Sequence, residues 1–291
     1  MGNGVSEIVP IVAGLLDLLL NLVGLLLWFN WRASGLKLAS PGVVSLASTI
    51  QHTEVAAPRR WFSFACLMAL LIVRALIYCQ IGSRVNWIAM LDLTAITLPF
   101  RSDLLSRMFL FSILSFGLSL GIVYASLLLL SVVNEKSRTT DYFSRLIALQ
   151  LGWVGRWYWP IRFLLAPVAA ALVWMILSWL FVKLGIIPPP KNVTHEWQIA
   201  GVLALCLLVT WKYALILFLG LHLVNNYVYL GNSSFWQFVT LTGNRLCLPI
   251  RWLPLRMGKI DLAPALLIIA VLAGSHYASS ELVHLYRRLP L

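Results

Sequence analysis

The chain has 291 residues, of which 60% are hydrophobic and only 11% are charged, and its formal net charge is +12. A soluble domain usually carries about 25% charged residues, so this composition excludes an ordinary water-soluble protein. The basic residues lie mostly between apolar runs, where attraction to anionic lipid headgroups explains them more simply than nucleic-acid binding does. We therefore predict an integral membrane protein with no nucleic-acid partner.

Six apolar runs are long enough to cross about 30 Å of hydrocarbon as helices. They cover residues 8–31, 61–81, 104–133, 161–187, 197–229 and 262–285. Continuous Leu, Ile and Ala favour helices over the ten-residue alternation of a membrane barrel. The sequence thus predicts an all-α, polytopic bundle of about six transmembrane helices, with degenerate helix–loop–helix repeats and short interfacial segments. Residues 85–100 could instead form an extra span or a re-entrant segment.

Basic residues concentrate in the first, third and fifth loops between these runs. Those loops hold Arg32, Lys37, Arg59 and Arg60; Lys136, Arg138, Arg145 and Arg156; and Arg245, Arg251, Arg256 and Lys259. Loops rich in Lys and Arg stay on the cytoplasmic side of a membrane. We therefore expect the odd-numbered loops in the cytoplasm and both termini on the outer side.

Two basic residues, Arg74 and Lys212, each lie in the middle of an apolar run. A charge at the membrane midplane is unfavourable and marks a functional residue by default, although a shifted helix boundary would let either side chain reach the surface. A span that starts near Trp211 would put Lys212 at the outer interface. Asp17 lies in the first run, with Asn21 one turn away, and an Arg74–Asp17 ion pair would remove two isolated charges together.

A short pattern, apolar-Pro-apolar-Arg, recurs at residues 98–101, 159–162 and 248–251. Proline favours the first turn of a new segment. We expect the arginines, which are Arg101, Arg162 and Arg251, at the level of the lipid phosphates. Aromatic or amphipathic segments ahead of the pattern predict short helices in the membrane interface. Those segments are Trp87-Ile88, Tyr142-Phe143 and Phe235-Trp236.

The last helix–loop–helix carries two further groups of candidates. His222, Asn225 and Asn226 share one helix face and could contact the Asp261 loop or bind a proton or cation, although a polar helix end at the interface is the simpler interpretation. Asp261 is expected to cap a helix that begins at Leu262. Pro264 then falls in the first turn of that helix.

The loop segment itself resembles a known repeat. Residues 241–254, with Pro249 and Arg251, followed by Gly258-Lys259-Ile260-Asp261-Leu262-Ala263-Pro264, resemble the repeat of the YggT family of bacterial and plastid membrane proteins. The clearest copy covers 212–285, with weaker copies upstream at 61–133 and 104–187. Gly243 and Asn244 replace the Glu and Pro of the family pattern, Ala263 replaces Ser, and His222 stands roughly where Arg is expected.

The resemblance implies a domain division and a class of function. It separates an N-terminal helix and basic loop (1–60), degenerate upstream repeats (61–190) and a C-terminal repeat (191–291). It implies a protein of the bacterial inner membrane or of a thylakoid-type membrane. It also implies links to cell-envelope organisation, osmotic tolerance and assembly of membrane complexes. No catalytic activity comes with the family.

No residue pattern in the chain predicts a catalytic, cofactor-binding or metal-binding set. Glu281 and His284 have the spacing of a metal-binding pair, but the spans supply almost no further carboxylates. We therefore predict a non-enzymatic assembly, scaffold or auxiliary subunit that contacts anionic lipid and either a membrane-protein partner or a second copy of itself. The alternative is a small transporter or channel for ions or osmolytes, with Arg74, Lys212 and the His222 face along a polar path.

Overall fold

The computed structural model describes residues 3–35, 60–85, 87–135, 142–189, 192–228, 231, 233–250, 256–257 and 260–289. Within these ranges the chain forms eight α-helices, and the predicted all-α class is confirmed. The helices are α1 (Asn3–Gly35), α2 (Arg60–Val85), α3 (Leu105–Val133), α4 (Tyr142–Leu151), α5 (Trp159–Lys183), α6 (Val193–Tyr227), α7 (Ser234–Leu246) and α8 (Ala263–Arg288). Four short strands are β1 (Ala89–Asp92), β2 (Thr97–Phe100), β3 (Arg256–Met257) and β4 (Ile260–Asp261).

Six of these helices are long and apolar enough to cross a membrane, so the predicted number of spans is confirmed. The candidate spans are Val12–Arg32, Trp61–Ser83, Leu105–Val133, Trp159–Lys183, Val193–Tyr227 and Ala263–Arg288. Mean hydropathy in their most apolar windows lies between 1.5 and 2.3. The chain is an integral, multi-pass membrane protein.

The segment between α2 and α3 differs from the prediction. Strands β1 and β2 form a two-stranded sheet whose residues alternate between buried and exposed, which is the period of a strand and not of a helix. Thr94 adopts a φ of 71° in the connecting turn, where its N–H donates to Asp92 Oδ1 at 2.8 Å. The extra span and the interfacial helix at Trp87-Ile88 are therefore both wrong.

The other two of these segments do belong to short helices. Tyr142 and Phe143 begin α4, and Phe235 and Trp236 lie in the first turn of α7. Helix α7 buries one face, made of Phe238, Val239, Thr242 and Gly243, and exposes polar residues on the other. A two-faced helix of this kind follows the boundary between an apolar and a polar environment.

The chain forms two compact units. The first takes Met1–Leu91 and Pro99–Leu120, and the second takes Asp92–Leu98 and Gly121–Leu291, so α3 is divided between them. In the first unit α1 packs on α2 around Leu67, Leu71 and Phe116. In the second unit α6 packs against α5, α7 and α8, and α4 packs on α7. These units group residues by contact and not by repeat, so the three-part division of the sequence stays a prediction.

Candidate functional site

The first candidate site is built around Arg74, in the middle of α2. Its side chain is only 1% exposed, and its guanidinium forms an ion pair with Asp17 of α1. A second nitrogen, Nη1, donates to Asn21 Oδ1 at 2.7 Å. The ion pair predicted from the sequence is therefore confirmed. Because a charge this deep would be unfavourable in hydrocarbon, the carboxylate explains how α2 can carry it.

Hydroxyl groups complete this cluster. The Tyr78 hydroxyl donates to Asp17 Oδ1 at 2.9 Å, and Ser115 Oγ of α3 donates to Asp17 Oδ2 at 2.8 Å. Asn21 Nδ2 in turn donates to Ser115 Oγ at 3.1 Å. The cluster thus joins α1, α2 and α3 within the first unit through paired polar groups. We refer to these five residues, Asp17, Asn21, Arg74, Tyr78 and Ser115, as the Arg74 cluster.

The second unit contains a buried arginine of its own. Arg162 lies one turn into α5, where Pro160 occupies the first turn as predicted. Its side chain is 0% exposed, and Nη2 pairs with Glu135 Oε1 at 2.7 Å. Nη1 donates to Ser131 Oγ at 2.5 Å and to the Ser131 carbonyl at 3.1 Å. The expectation that Arg162 meets lipid phosphate is therefore wrong, because the end of α3 supplies the acceptors instead.

Helix α7 is held against α6 and α3 by small polar contacts. Gly243 faces His222, and a Cβ at that position would collide with the imidazole. Asn225 Nδ2 donates to Thr240 Oγ1 at 2.9 Å, and Asn134 Nδ2 donates to Thr242 Oγ1 at 2.9 Å. His222 is buried because Gly243 of α7 lies against its imidazole, and the interpretation of this face as a polar helix end at the interface stays a prediction.

Lys212 lies in the middle of α6 and is half-buried. Helix α6 begins at Val193, so no helix starts near Trp211, and the position of Lys212 relative to the membrane interface stays a prediction. The Lys212 Nζ lies 5.2 Å from the ring centroid of Tyr213, within cation–π range. It forms no ion pair with any residue of the ranges that the structure describes.

Arg101 follows β2, and Pro99 lies within that strand and does not begin a helix. The Arg101 guanidinium holds the Asp103 carboxylate through two contacts, of 2.8 and 3.3 Å, and both side chains are exposed. The hydrogen bond from Arg101 lowers the pKa of Asp103. This is a surface ion pair of a kind that contributes little to stability.

The loop before α8 keeps part of its predicted structure. Asp261 Oδ1 accepts from the Ala263 N–H at 3.0 Å. However, α8 begins at Ala263, one residue later than expected, so its N-cap is Leu262 and the prediction of Asp261 as the N-cap is wrong by one residue. Pro264 is the second residue of α8 and so lies in its first turn, as predicted. Pro249 is exposed in a short 3-10 turn, Leu248–Ile250, and Arg251 lies outside the described residues.

Cys247 stands next to this turn, and burial, with a smaller contribution from the Asp261 charge, raises the pKa of its thiol to about 11. A thiol with such a pKa is almost entirely protonated at neutral pH, so Cys247 is a poor nucleophile. Among the described residues, no group of three or more His, Cys, Asp or Glu side chains could hold a metal ion.

Sequence reasoning missed several members of these clusters. Ser112, Ser115 and Ser119 recur at intervals of three and four in the apolar run of α3, and this spacing marks one helix face suited to interhelical bonds. That signal could have identified Ser115. Glu135 carried no comparable signal, because it follows the end of α3 by two residues and looks like an ordinary loop carboxylate.

Comparisons with protein-family models, curated proteins and solved structures found no match to this chain.

Proposed function

We propose that this integral membrane protein is a non-enzymatic assembly, scaffold or auxiliary subunit of a membrane or cell-envelope complex. We further propose that it is of the YggT type and lies in the bacterial inner membrane, with its odd-numbered loops in the cytoplasm. The loop residues between α6 and α8 support the family assignment, and the distribution of Lys and Arg supports the orientation.

The exposed polar face of α8 carries this proposal. Only 6% of the apolar window of α8 is buried, against 33% for α6. Its exposed residues include His276, Tyr277, Glu281 and His284. Ionisable side chains in a membrane helix almost always face other protein or water, because exposure to lipid is unfavourable. A transmembrane helix of a partner, with hydroxyl or basic groups opposite Glu281, would satisfy this face.

The two buried arginines support the same conclusion. Arg74 and Arg162 are each neutralised by a carboxylate of their own unit, and each is surrounded by hydroxyl groups and apolar side chains. Charges that are paired in this way hold helices together and are poorly placed to receive a moving ion.

Site-specific photo-crosslinking in a bacterial membrane tests the proposal. We expect a crosslinking residue at position 281 to give one adduct of constant mass, because a partner helix covers that face. The matched control places the same residue at Ile176 of α5, which is 71% exposed and apolar. The control position should give only lipid adducts. An absence of protein adducts at position 281, or the same adducts at both positions, would contradict a scaffold role.

Lys212 is the observation that favours the alternative, a transporter or channel for ions or osmolytes. It is a half-buried cation in the middle of a span, and it has no carboxylate partner among the described residues. Flux of potassium and of a zwitterionic osmolyte into liposomes tests this role. A transporter should lose flux in Lys212→Ala but retain it in Lys183→Ala, since Lys183 lies at the end of α5. No flux above that of empty liposomes would exclude it.

A further inference from the structure

A groove with a volume of about 520 Å³ lies between the end of α6 and the exposed face of α7. Binding sites for small ligands commonly have volumes of about 300–1,000 Å³. Its polar and aromatic lining includes Asn225, Trp236, Gln237, Thr240, Asn244 and Arg245. Among the lining residues that the structure describes, Arg245 is the only charged one, and none of them is a carboxylate. The groove therefore combines one positive charge with neutral hydrogen-bonding groups.

Two of these residues form a fixed wall. Asn225 Nδ2 donates to Thr240 Oγ1 at 2.9 Å, and Thr240 Oγ1 donates to the Trp236 carbonyl at 2.9 Å. The first bond ties α7 to α6, and the second holds the Thr240 hydroxyl against the backbone of α7. Arg245 is anchored as well, because its Nη1 donates to the Val133 carbonyl at 3.2 Å. An anchored guanidinium loses little side-chain entropy when an anion binds to it.

The remaining residues suit a phosphate group. Gln237 and Asn244 are exposed and carry amide N–H donors, which phosphate oxygens accept readily. Trp236 and Leu241 add apolar surface beside these donors. Tryptophan is enriched at the depth of lipid headgroups, and α7 has the two-faced character of a helix that lies along the membrane surface. The guanidinium of Arg245, the amides of Gln237 and Asn244 and the indole of Trp236 thus lie together in the groove along α7.

We infer that this groove binds the phosphate of an anionic lipid headgroup. Arg245 supplies the positive charge, Gln237 and Asn244 donate hydrogen bonds, and Trp236 packs against the glycerol backbone. The inference deepens the proposed function, and it rests on the proposed placement of the fifth loop at an anionic membrane surface. According to this inference, the protein binds acidic lipid at one defined site, in addition to the general attraction that the basic loops exert.

Native mass spectrometry of the purified, detergent-solubilised protein with added lipid tests the inference. We expect one molecule of phosphatidylglycerol to bind more tightly than phosphatidylcholine does. Arg245→Gln should weaken phosphatidylglycerol binding about 10-fold, which is typical for the loss of a charge-assisted hydrogen bond. Asn244→Asp changes an exposed side chain and should weaken binding similarly by repelling the phosphate, so the test does not depend on the folding of Arg245→Gln. Arg101→Gln, which removes the same charge outside the groove, should have no effect.

Glycerol phosphate, added as a competitor, separates the two sources of phosphate. If it displaces the lipid only weakly, the headgroup in its bilayer context is the ligand. If glycerol phosphate binds as tightly as the lipid, the groove binds the phosphate of a soluble compound, and the assignment to a lipid headgroup is overturned. Equal binding of both lipids, with no effect of Arg245→Gln or Asn244→Asp, would overturn the inference. The measurement uses the protein alone, so its failure would leave the crosslinking result at position 281 unaffected.

Discussion

Each of the two buried arginines is neutralised by one carboxylate, but the two pairs lie at different positions along their helices. Arg74 lies in the middle of a span and pairs with Asp17, which is 25% exposed and lies 57 residues away in the chain. Arg162 lies one turn from the start of α5 and pairs with Glu135, which is 41% exposed and 27 residues away. Arg74 thus depends on a carboxylate within a span, and Arg162 on one beyond the end of a helix.

This difference in depth decides how far water can replace a lost partner. In the middle of a span an unpaired guanidinium remains in a medium of low dielectric constant, and its desolvation is not compensated. Beside the buried Arg162, the Glu135 position is half-exposed, so water can enter there when the carboxylate charge is removed. Loss of the carboxylate should therefore lower the free energy of unfolding more in the Arg74 cluster than at Arg162.

The largest effect is expected from Asp17→Asn. The substitution keeps the shape of the side chain but removes the charge that neutralises Arg74, and it should lower the free energy of unfolding by about 3 kcal/mol. Unfolding in mixed detergent micelles measures this value.

The double variant Asp17→Leu with Arg74→Leu provides the matched control. Replacing both members of a buried pair by apolar residues is often neutral or stabilising. We therefore expect the double variant to recover most of the stability that Asp17→Asn loses. If the double variant is as unstable as the single one, the cluster stabilises the fold through something other than charge neutralisation.

A smaller effect is expected from Glu135→Gln. Water can reach the half-exposed carboxylate position, and the bonds from Arg162 to Ser131 remain. We expect a loss of about 1 kcal/mol in the same unfolding measurement. A loss as large as that of Asp17→Asn would show that the position of the arginine along its helix does not determine how much its carboxylate contributes to stability.

The smallest effect is expected from Asp103→Asn, which breaks the exposed pair with Arg101. The free energy of unfolding at pH 7 should not change measurably. Because Arg101 lowers the pKa of Asp103, any stabilisation by the pair is present at neutral pH and is lost as the pH falls through that lowered value. A clear destabilisation at pH 7 would contradict the expectation that an ion pair contributes less to stability the more exposed it is.

Hydropathy and charge predicted the membrane class, the six spans and the Arg74–Asp17 pair. These features follow from local composition, and an isolated charge in an apolar run demands a partner of opposite sign. The partner of Arg162 could not be predicted, because Glu135 is one of several charged loop residues and only the packing of α3 on α5 brings the two together. The α7 contacts depend on Gly243, whose role appears only when His222 lies against it.

The recurring apolar-Pro-apolar-Arg pattern shows why short motifs have limited predictive value here. Pro99 lies in a strand, Pro160 begins a helix, and Pro249 belongs to a 3-10 turn. Proline fixes φ near −65°, and all three of these backbone conformations tolerate that angle. The local structure around each proline therefore depends on tertiary packing.

The length of α6 has a consequence for the kind of membrane that suits the protein. Its 35 residues extend about 52 Å at 1.5 Å per residue, against about 30 Å of hydrocarbon. Even at a tilt of about 40°, near the limit for membrane helices, about 13 Å of the length of α6 remains outside the hydrocarbon. In a bilayer that is a few ångströms thinner or thicker, the hydrocarbon boundary would fall at a different residue in this extra length of α6, and the helix would not be strained. Hydrophobic mismatch at α6 is thus a weak determinant of which membrane the protein enters.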